Sequence, residues 1–223
     1  MSSSTAHLDL GRADYKTVLD LQRKLHSRRC AGEIGDLVLT VEHDPVFTIG
    51  RTGSTDHLLV DRERLEQEGI SLCEVERGGD ITYHGPEQLV VYPIVDLRAR
   101  GRDLKRFIAD LEETAIRTVR RWEIEANRRA TYPGVWVGSR KIASVGVYVK
   151  RWVTRHGLAL NIDVDPAHFA MIRPCGLDIE TVSIATLSDR PAAFDRVRSD
   201  LLNEMADVFG WTFRETVPEE FVP

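Results

Sequence analysis

Val135-Trp-Val-Gly-Ser-Arg-Lys-Ile-Ala-Ser-Val-Gly-Val-Tyr-Val149 is followed, after a turn near Lys150, by Thr154-Arg-His-Gly-Leu-Ala-Leu-Asn-Ile162. It is rich in β-branched residues, punctuated by Gly138-Ser139 and without helical period, so residues 134–161 predict an antiparallel strand meander. Upstream, residues 36–42 (DLVLTVE) and 46–50 (VFTIG) read as strands broken by His43-Asp44-Pro45. Residues 88–95 read as another strand, although its Pro93 belongs at an edge or a bulge. Helices interrupt these strands. Tyr15, Val18, Leu21 and Leu25 fall at near-helical spacing behind Asp14, and 61–69 is a short charged helix stopped by Gly69. From Asp103 onward Leu104, Phe107, Ile108, Leu111, Ala115, Ile116, Val119 and Trp122 keep a helical stripe. A last helix, opened by Pro191 and ended by Gly210, carries Phe194, Val197, Leu201, Met205 and Val208 on one face. Without a regular βαβ alternation, this order predicts one α+β domain over residues 1–223, a mixed, mostly antiparallel sheet flanked by helices.

Composition bounds the function. At 223 residues and 42% hydrophobic content the chain can bury a core without disulfides or metal, and no apolar run approaches the roughly 18 residues of a membrane span. The opening Met-Ser-Ser-Ser-Thr-Ala-His has neither a basic nor an apolar secretory region. Cys30, Cys73 and Cys175 are widely spaced, which gives no disulfide framework and no metal-type pair and points to a reducing, cytoplasmic setting. A net charge of −5 argues against a nucleic-acid binder. The usual phosphate-loop, dinucleotide, zinc-protease and serine-hydrolase motifs are all missing. Of 30 cationic residues only five are lysines, so a lysine on an apolar strand draws attention: it can give up its proton, and arginine cannot.

Four segments can carry chemistry. Residues 77–88 (RGGDITYHGPEQ) hold glycines that admit close backbone approach beside Thr82, Tyr83 and His84; composition alone suits a long polar turn equally well. Lys141 shares a strand face with Ala143, Val145 and Val147, where an ammonium is costly unless a cavity opens beside it; it could equally snorkel to water. Pro174 and Gly176 frame Cys175 on a tight turn, as a nucleophilic thiolate needs, although a lone cysteine is most often a small buried hydrophobe. Residues 156–162 (HGLALNI) suit the wall of an acyl-sized slot or an ordinary core strand.

Together, 77–94, 141–146 (KIASVG), 156–162, 173–177 (RPCGL) and 41–51 (VEHDPVFTIGR) closely resemble, in order, the octanoyltransferase (lipoyl(octanoyl) transferase) family. The resemblance implies a fold similar to biotin and lipoate protein ligase catalytic domains. It implies an acyltransferase that moves an octanoyl group from octanoyl-acyl carrier protein to a lysine of lipoyl domains. Such acceptors occur in 2-oxoacid dehydrogenases and in the glycine cleavage H protein. By the same resemblance Cys175 carries the acyl group and Lys141 lowers its pKa. Arg77, Gly78, Gly79, Asp80, Ile81, Thr82, Tyr83 and His84 line the substrate site with Ser144, Val145, Gly146, Gly157, Leu158 and Ala159. A thioester donor is already activated, so no ATP, metal or organic cofactor is expected, and neither nucleic acid nor membrane is an expected partner. Backbone amides near Gly176 or in the 77–79 loop are candidate oxyanion donors, and Arg98, Arg100, Arg102, Lys105 and Arg106 form either a docking surface or a solvated helix start.

One position departs from the family pattern. Glu87 stands where His-Gly-Pro-Gly-Gln is usual, and a left-handed backbone there would strain it. The rival readings are an ATP-dependent lipoate- or biotin-type ligase, to which Thr48-Ile-Gly-Arg51 is similar, a cysteine thioesterase, and a non-catalytic acyl-binding module. An ATP requirement, acyl transfer to water and binding without turnover would respectively mark them.

Overall fold

The chain begins with a strand that its pattern conceals. In the computed structural model, which describes residues 3–129, 131–176, 178–217 and 221 but not the side chains of Ser3 and Cys175, β1 (Ser3–Ala13) leads into α1 (Tyr15–Ala31), β2 (Leu37–His43) and β3 (Val46–Ile49). β1 is buried on both faces, with Thr5 and His7 on one and Leu8 on the other, so a polar–apolar alternation is lost. His7 is satisfied by Thr40 Oγ1 at 2.9 Å and by Glu215. A register shift between Asp9 and Arg12 blurs the period further. After α2 (Arg62–Gln67) come β4 (Ser71–Glu74), β5 (Ile81–His84), β6 (Gln88–Ile94) and the long α3 (Leu104–Arg120). The meander follows as β7 (Asn127–Arg128), β8 (Val135–Val137), β9 (Arg140–Lys150) and β10 (Val153–Asn161). Two short helices, α4 (Pro166–Phe169) and α5 (Ile184–Leu187), precede α6 (Phe194–Phe209) and β11 (Trp211–Glu215).

The main sheet runs β11-β1-β2-β6-β10-β9-β8-β7, and a smaller one runs β4-β3-β5. β1 pairs in parallel with β11 and β2, and every other pair of the main sheet is antiparallel. This is the mixed α+β architecture expected from the sequence. α3 and α6 cover one face through Leu111, Val119, Leu201 and Met205, against Leu158 and Leu160. α1 covers the other through Val18 and Leu25, against Leu39, Val90 and Tyr92. Asp14, Asp61 and Asp103 cap their helices by accepting from backbone amides, and Gly210 ends α6 at φ 67.

Two expectations shift. α6 starts at Phe194 behind Ala193, so Pro191 lies outside it. Pro93 is in a central strand rather than at an edge. It is tolerated because the β6–β10 ladder spans only Gln88–Val91 with Leu158–Asn161, and β10 is distorted at His156, where φ is 57. In the arginine run, Arg98 is paired with Asp96 at 2.6 Å, and Arg100 donates to the Phe209 carbonyl and stacks on Trp211. Two of the five expected docking cations therefore serve the fold.

Glu87 does take the left-handed conformation, at φ 59, in the turn between β5 and β6. Its amide donates to Glu42 Oε1 at 2.9 Å, and its carbonyl accepts from Ile162 and Asp163. Burial, then Glu42 and Asp163, push its carboxyl above the ordinary 4.5. Ionisation of Glu87 therefore opposes folding. Its contribution is intact below the ordinary carboxyl range and is lost as pH rises through the raised value. Glu87→Gly should stabilise the protein by about 1 kcal/mol from backbone relief alone. Glu87→Gln keeps the strain and removes the charge, so in urea unfolding it should gain stability at about pH 7 and not at about pH 4. Equal gains at both would remove the charge from this account.

Candidate active site

The site begins with a guanidinium. Arg77 is 7% exposed, and its Nη2 donates to the Thr48 carbonyl at 2.6 Å and to Thr48 Oγ1 at 2.8 Å. Nε adds a third bond to that hydroxyl, and Nη1 donates to the Gly78 carbonyl at 3.1 Å. This draws the 77–80 loop onto the end of β3, where the amides of Gly50, Arg51 and Thr52 donate to the carbonyls of Asp80, Arg77 and Gly79. A Cβ on Gly50 would lie 2.3 Å from the Gly79 carbonyl oxygen, so only glycine permits the contact. On the far side, Gly78 donates to the Val147 carbonyl of β9 at 3.0 Å, and a Cβ on Gly146 would meet the Gly78 carbonyl at 3.0 Å.

β9 supplies Lys141. Its Nζ lies 5.1 Å from the centre of the Trp136 ring. Gly134, at φ 128, passes so close that a Cβ there would come within 2.6 Å of Lys141 Cε. The Gly134 amide is held by buried Glu112 at 2.7 Å. The segment after the cysteine turn runs beside β9: Lys141 donates to the Glu180 carbonyl and accepts from the Val182 amide, both at 2.9 Å. Asn161 ties the same segment to β10 through the Val182 carbonyl at 3.1 Å.

Pro174–Gly176 form one 3-10 turn, which carries Cys175. It is fixed from behind, since Leu59 donates to Met171 and Arg173 to His57, each at 2.8 Å. His57 Nδ1 in turn meets Asp80 Oδ2 at 2.5 Å, linking the turn to the glycine loop. The Cys175 side chain and Leu177 lie outside the described residues.

These elements enclose a cavity of about 360 Å³. The expected residues 77–82, 84, 141, 144–146 and 157–159 all line it, and so does Pro174. Tyr83 is placed otherwise: its ring packs under β5 against Phe47, His168 and Phe169, and burial pushes its hydroxyl up to about 12. Gly176 and Gly78, considered as oxyanion donors, already donate to the carbonyls of Arg173 and Val147. Leu104, Ile108 and Tyr92, not singled out beforehand, complete the wall together with His156 and Asn161 of the 156–162 segment, which suited a slot wall or a core strand. Leu104 and Ile108 stand on a helix stripe and Tyr92 in a strand-like apolar run.

The interior is electrically quiet. His84 bonds Gln88 Oε1 at 2.7 Å, and Gln88 passes the contact to Asn161 at 2.9 Å. Burial holds His84 and His156 well below the ordinary histidine range, and it lowers His43, behind Tyr92, to about 4. All three are uncharged at neutral pH. Among the described residues, no group of three or more His, Cys, Asp or Glu is arranged to hold a metal ion, and no helix is long and apolar enough to cross a membrane. A largely apolar slot whose charged wall residues are Arg77, Asp80 and Lys141 suits an aliphatic acyl chain with a reactive carbonyl.

Comparison with known proteins agrees with that geometry. Residues 14–206 match the family model of the lipoyl protein ligase A/B catalytic domain. The octanoyltransferase of Caldicellulosiruptor saccharolyticus is 42% identical over 96% of this chain and 92% of its own, and that of Solibacter usitatus is 44% identical over 90% of each. In fold, the chain is similar to a bipartite lipoate protein ligase from Thermoplasma acidophilum (TM-score 0.73, 16% identity, covering 96% and 88%). A biotin protein ligase from Leishmania major is more distant (TM-score 0.55, 12% identity, covering 95% and 77%). With this sequence similarity on a shared fold, the chain belongs to the octanoyltransferase family, within the lipoyl protein ligase A/B catalytic domain family.

Proposed function

We propose that this protein moves an octanoyl group from octanoyl-acyl carrier protein to a lysine of lipoyl domains, through a thioester on Cys175. The acceptors are the lipoyl domains of 2-oxoacid dehydrogenases and the glycine cleavage H protein. The chain acts as one catalytic domain, 1–223, in the cytoplasm. One observation carries the reading: Lys141 and Pro174, next to Cys175, line the same largely apolar cavity. Burying the methylenes of an octanoyl tail there contributes about 0.8 kcal/mol each, several kcal/mol in all, which fixes the carbonyl for attack.

In the first half-reaction the Cys175 thiolate attacks the donor carbonyl, the new C–S bond forms, and the carrier's C–S bond breaks. The carrier leaves as a thiol, with the proton relayed by Lys141. In the second, a lipoyl-domain amine attacks the enzyme thioester. The amide C–N bond forms, the Cys175 C–S bond breaks, and the amine's proton passes to neutral Lys141. Lys141 also steadies the thiolate electrostatically. The Trp136 face and the crowding by Gly134 restrain its ammonium, which long surface lysines lack.

Mixed with octanoyl-acyl carrier protein in EDTA and without ATP, the enzyme should gain one octanoyl group in its intact mass, and Cys175→Ala should gain none. Wild-type transfer rates in Cys175→Ala would overturn the reading, and a strict ATP requirement would favour the ligase. Lys141→Arg should separate the two halves. Guanidinium can partner a thiolate but cannot take the amine's proton, so acylated enzyme should accumulate while transfer falls by roughly 10²–10⁴-fold. Quenched time courses of both steps would show it. Equal losses in both would reduce Lys141 to a charge or packing role.

A further inference from the structure

A second cavity, of about 350 Å³, lies between α1 and the β9–β10 hairpin and has no part in the chemistry above. Arg23 and His26 reach it from α1, Lys150 and Arg151 from the hairpin turn, Arg155 from β10, and Glu76 from the loop ahead of Arg77. Burial keeps His26 below its ordinary range, and its Nε2 is spent on the Val153 carbonyl at 3.1 Å, so it brings no charge. Four cations therefore face one carboxylate. Glu76 meets Arg23 at 3.0 Å and Arg155 at 3.4 Å, and Asp20 meets Arg23 at 3.1 Å, so the cations still outnumber the carboxylates.

Arg155 makes this more than a charged surface. Its side chain is 6% exposed and stacked over the Tyr148 ring, with its guanidinium carbon 4.5 Å from the ring centre. Among the described residues, its buried Nε has no hydrogen-bond partner. A buried guanidinium N–H without an acceptor is costly, and the cost is removed when a ligand supplies one. The donors converge from a helix, a turn and a strand. A planar carboxylate accepts well from two directions, whereas the tetrahedral oxygens of a phosphate, three in free phosphate or a monoester and two in a monoanionic diester, match cations arranged in three dimensions.

We propose that this cavity is a binding site for a phosphate group. Two sources share that chemistry: free phosphate, and the phosphate of the phosphopantetheine arm that presents the acyl thioester. The second rests on the function proposed above. The two cavities share a wall in which Glu76 precedes Arg77, Val147 precedes Tyr148 and Arg155 precedes His156, one residue of each pair lining each cavity. A phosphate held here lies beside the loop and strands that shape the acyl slot.

The test uses the full chain, inorganic phosphate and phosphopantetheine as probes, followed by amide chemical shifts of residues around Arg23, Lys150 and Arg155. Saturable shifts are expected, with Kd raised roughly tenfold in Arg23→Gln, at an exposed position, and at least as much in Arg155→Gln. Octanoyl transfer from octanoyl-phosphopantetheine and from octanoyl-pantetheine then separates the sources. A KM roughly tenfold lower for the phosphorylated donor, with the advantage lost in Arg151→Gln and kcat kept, assigns the site to the arm. Phosphate binding with equal KM values assigns it to free phosphate. Phosphate binding in an enzyme that transfers octanoyl from neither donor keeps the site and rejects the function. Absence of saturable shifts, or shifts unchanged in folded Arg23→Gln, overturns the proposal.

Discussion

The structure turns on the burial of one guanidinium. Removing Arg77 from water is tolerable only because its fork is met by the carbonyl and hydroxyl of a single residue, Thr48, and by the Gly78 carbonyl. These bonds fold the 77–80 loop back over β3, which makes Gly50 and Gly79 touch backbone to backbone. The loop then has a fixed edge to offer β9, and the Gly78–Val147 bond joins the small sheet to the large one. Lysine, with a point charge and no planar fork, would satisfy fewer of these acceptors and leave the loop less determined. The acyl cavity is the gap that this arrangement leaves between the two sheets.

How much of this was legible follows from which residues carried a pattern. The meander, α3 and α6 were readable because strand and helix periods bury apolar side chains such as Val135, Ile142, Leu111 and Leu201 on one side. β1 was not, since one of its buried faces holds Thr5 and His7, and His7 is satisfied by residues far along the chain, Thr40 and Glu215. The glycine loop, Lys141 and the Pro–Cys–Gly turn were legible as unusual local chemistry. Tyr92 was not, because alternation assigns a face but says nothing of a cavity on that face, and the same ambiguity left 156–162, with His156 and Asn161, open between slot wall and core strand. Tyr83 shows the same limit in reverse: a polar aromatic in a functional-looking loop serves the packing of β5.

The histidines explain how a polar-looking sequence encloses an apolar slot. His43, His84 and His156 crowd one region around Tyr15 and Tyr92, and any two protonated rings there would repel in a poorly solvated space. Burial resolves this by keeping all three neutral, and Arg77 reinforces it for His84 and His156. The rings then act as flat, weakly polar surfaces instead of charges. A chain passing them meets no charged histidine, so the field in the cavity is dominated by Arg77, Asp80 and Lys141 on its wall.

That dominance depends on holding groups from remote parts of the chain in fixed relation. Lys141 belongs to β9 in the main sheet, whereas the turn bearing Cys175 is strapped to residues 57–59 beside the small sheet. Two tethers close the distance. Asp80 joins His57 to the glycine loop, and the 180–182 segment lies against Lys141. The first lies on the small-sheet side and the second is a β-bridge beside β9, and the Gly78–Val147 bond behind the Arg77 clamp joins one to the other. A substitution that loosens the clamp therefore lets the two supports drift apart, and geometry in a site of this kind is sensitive to displacements of about 1 Å.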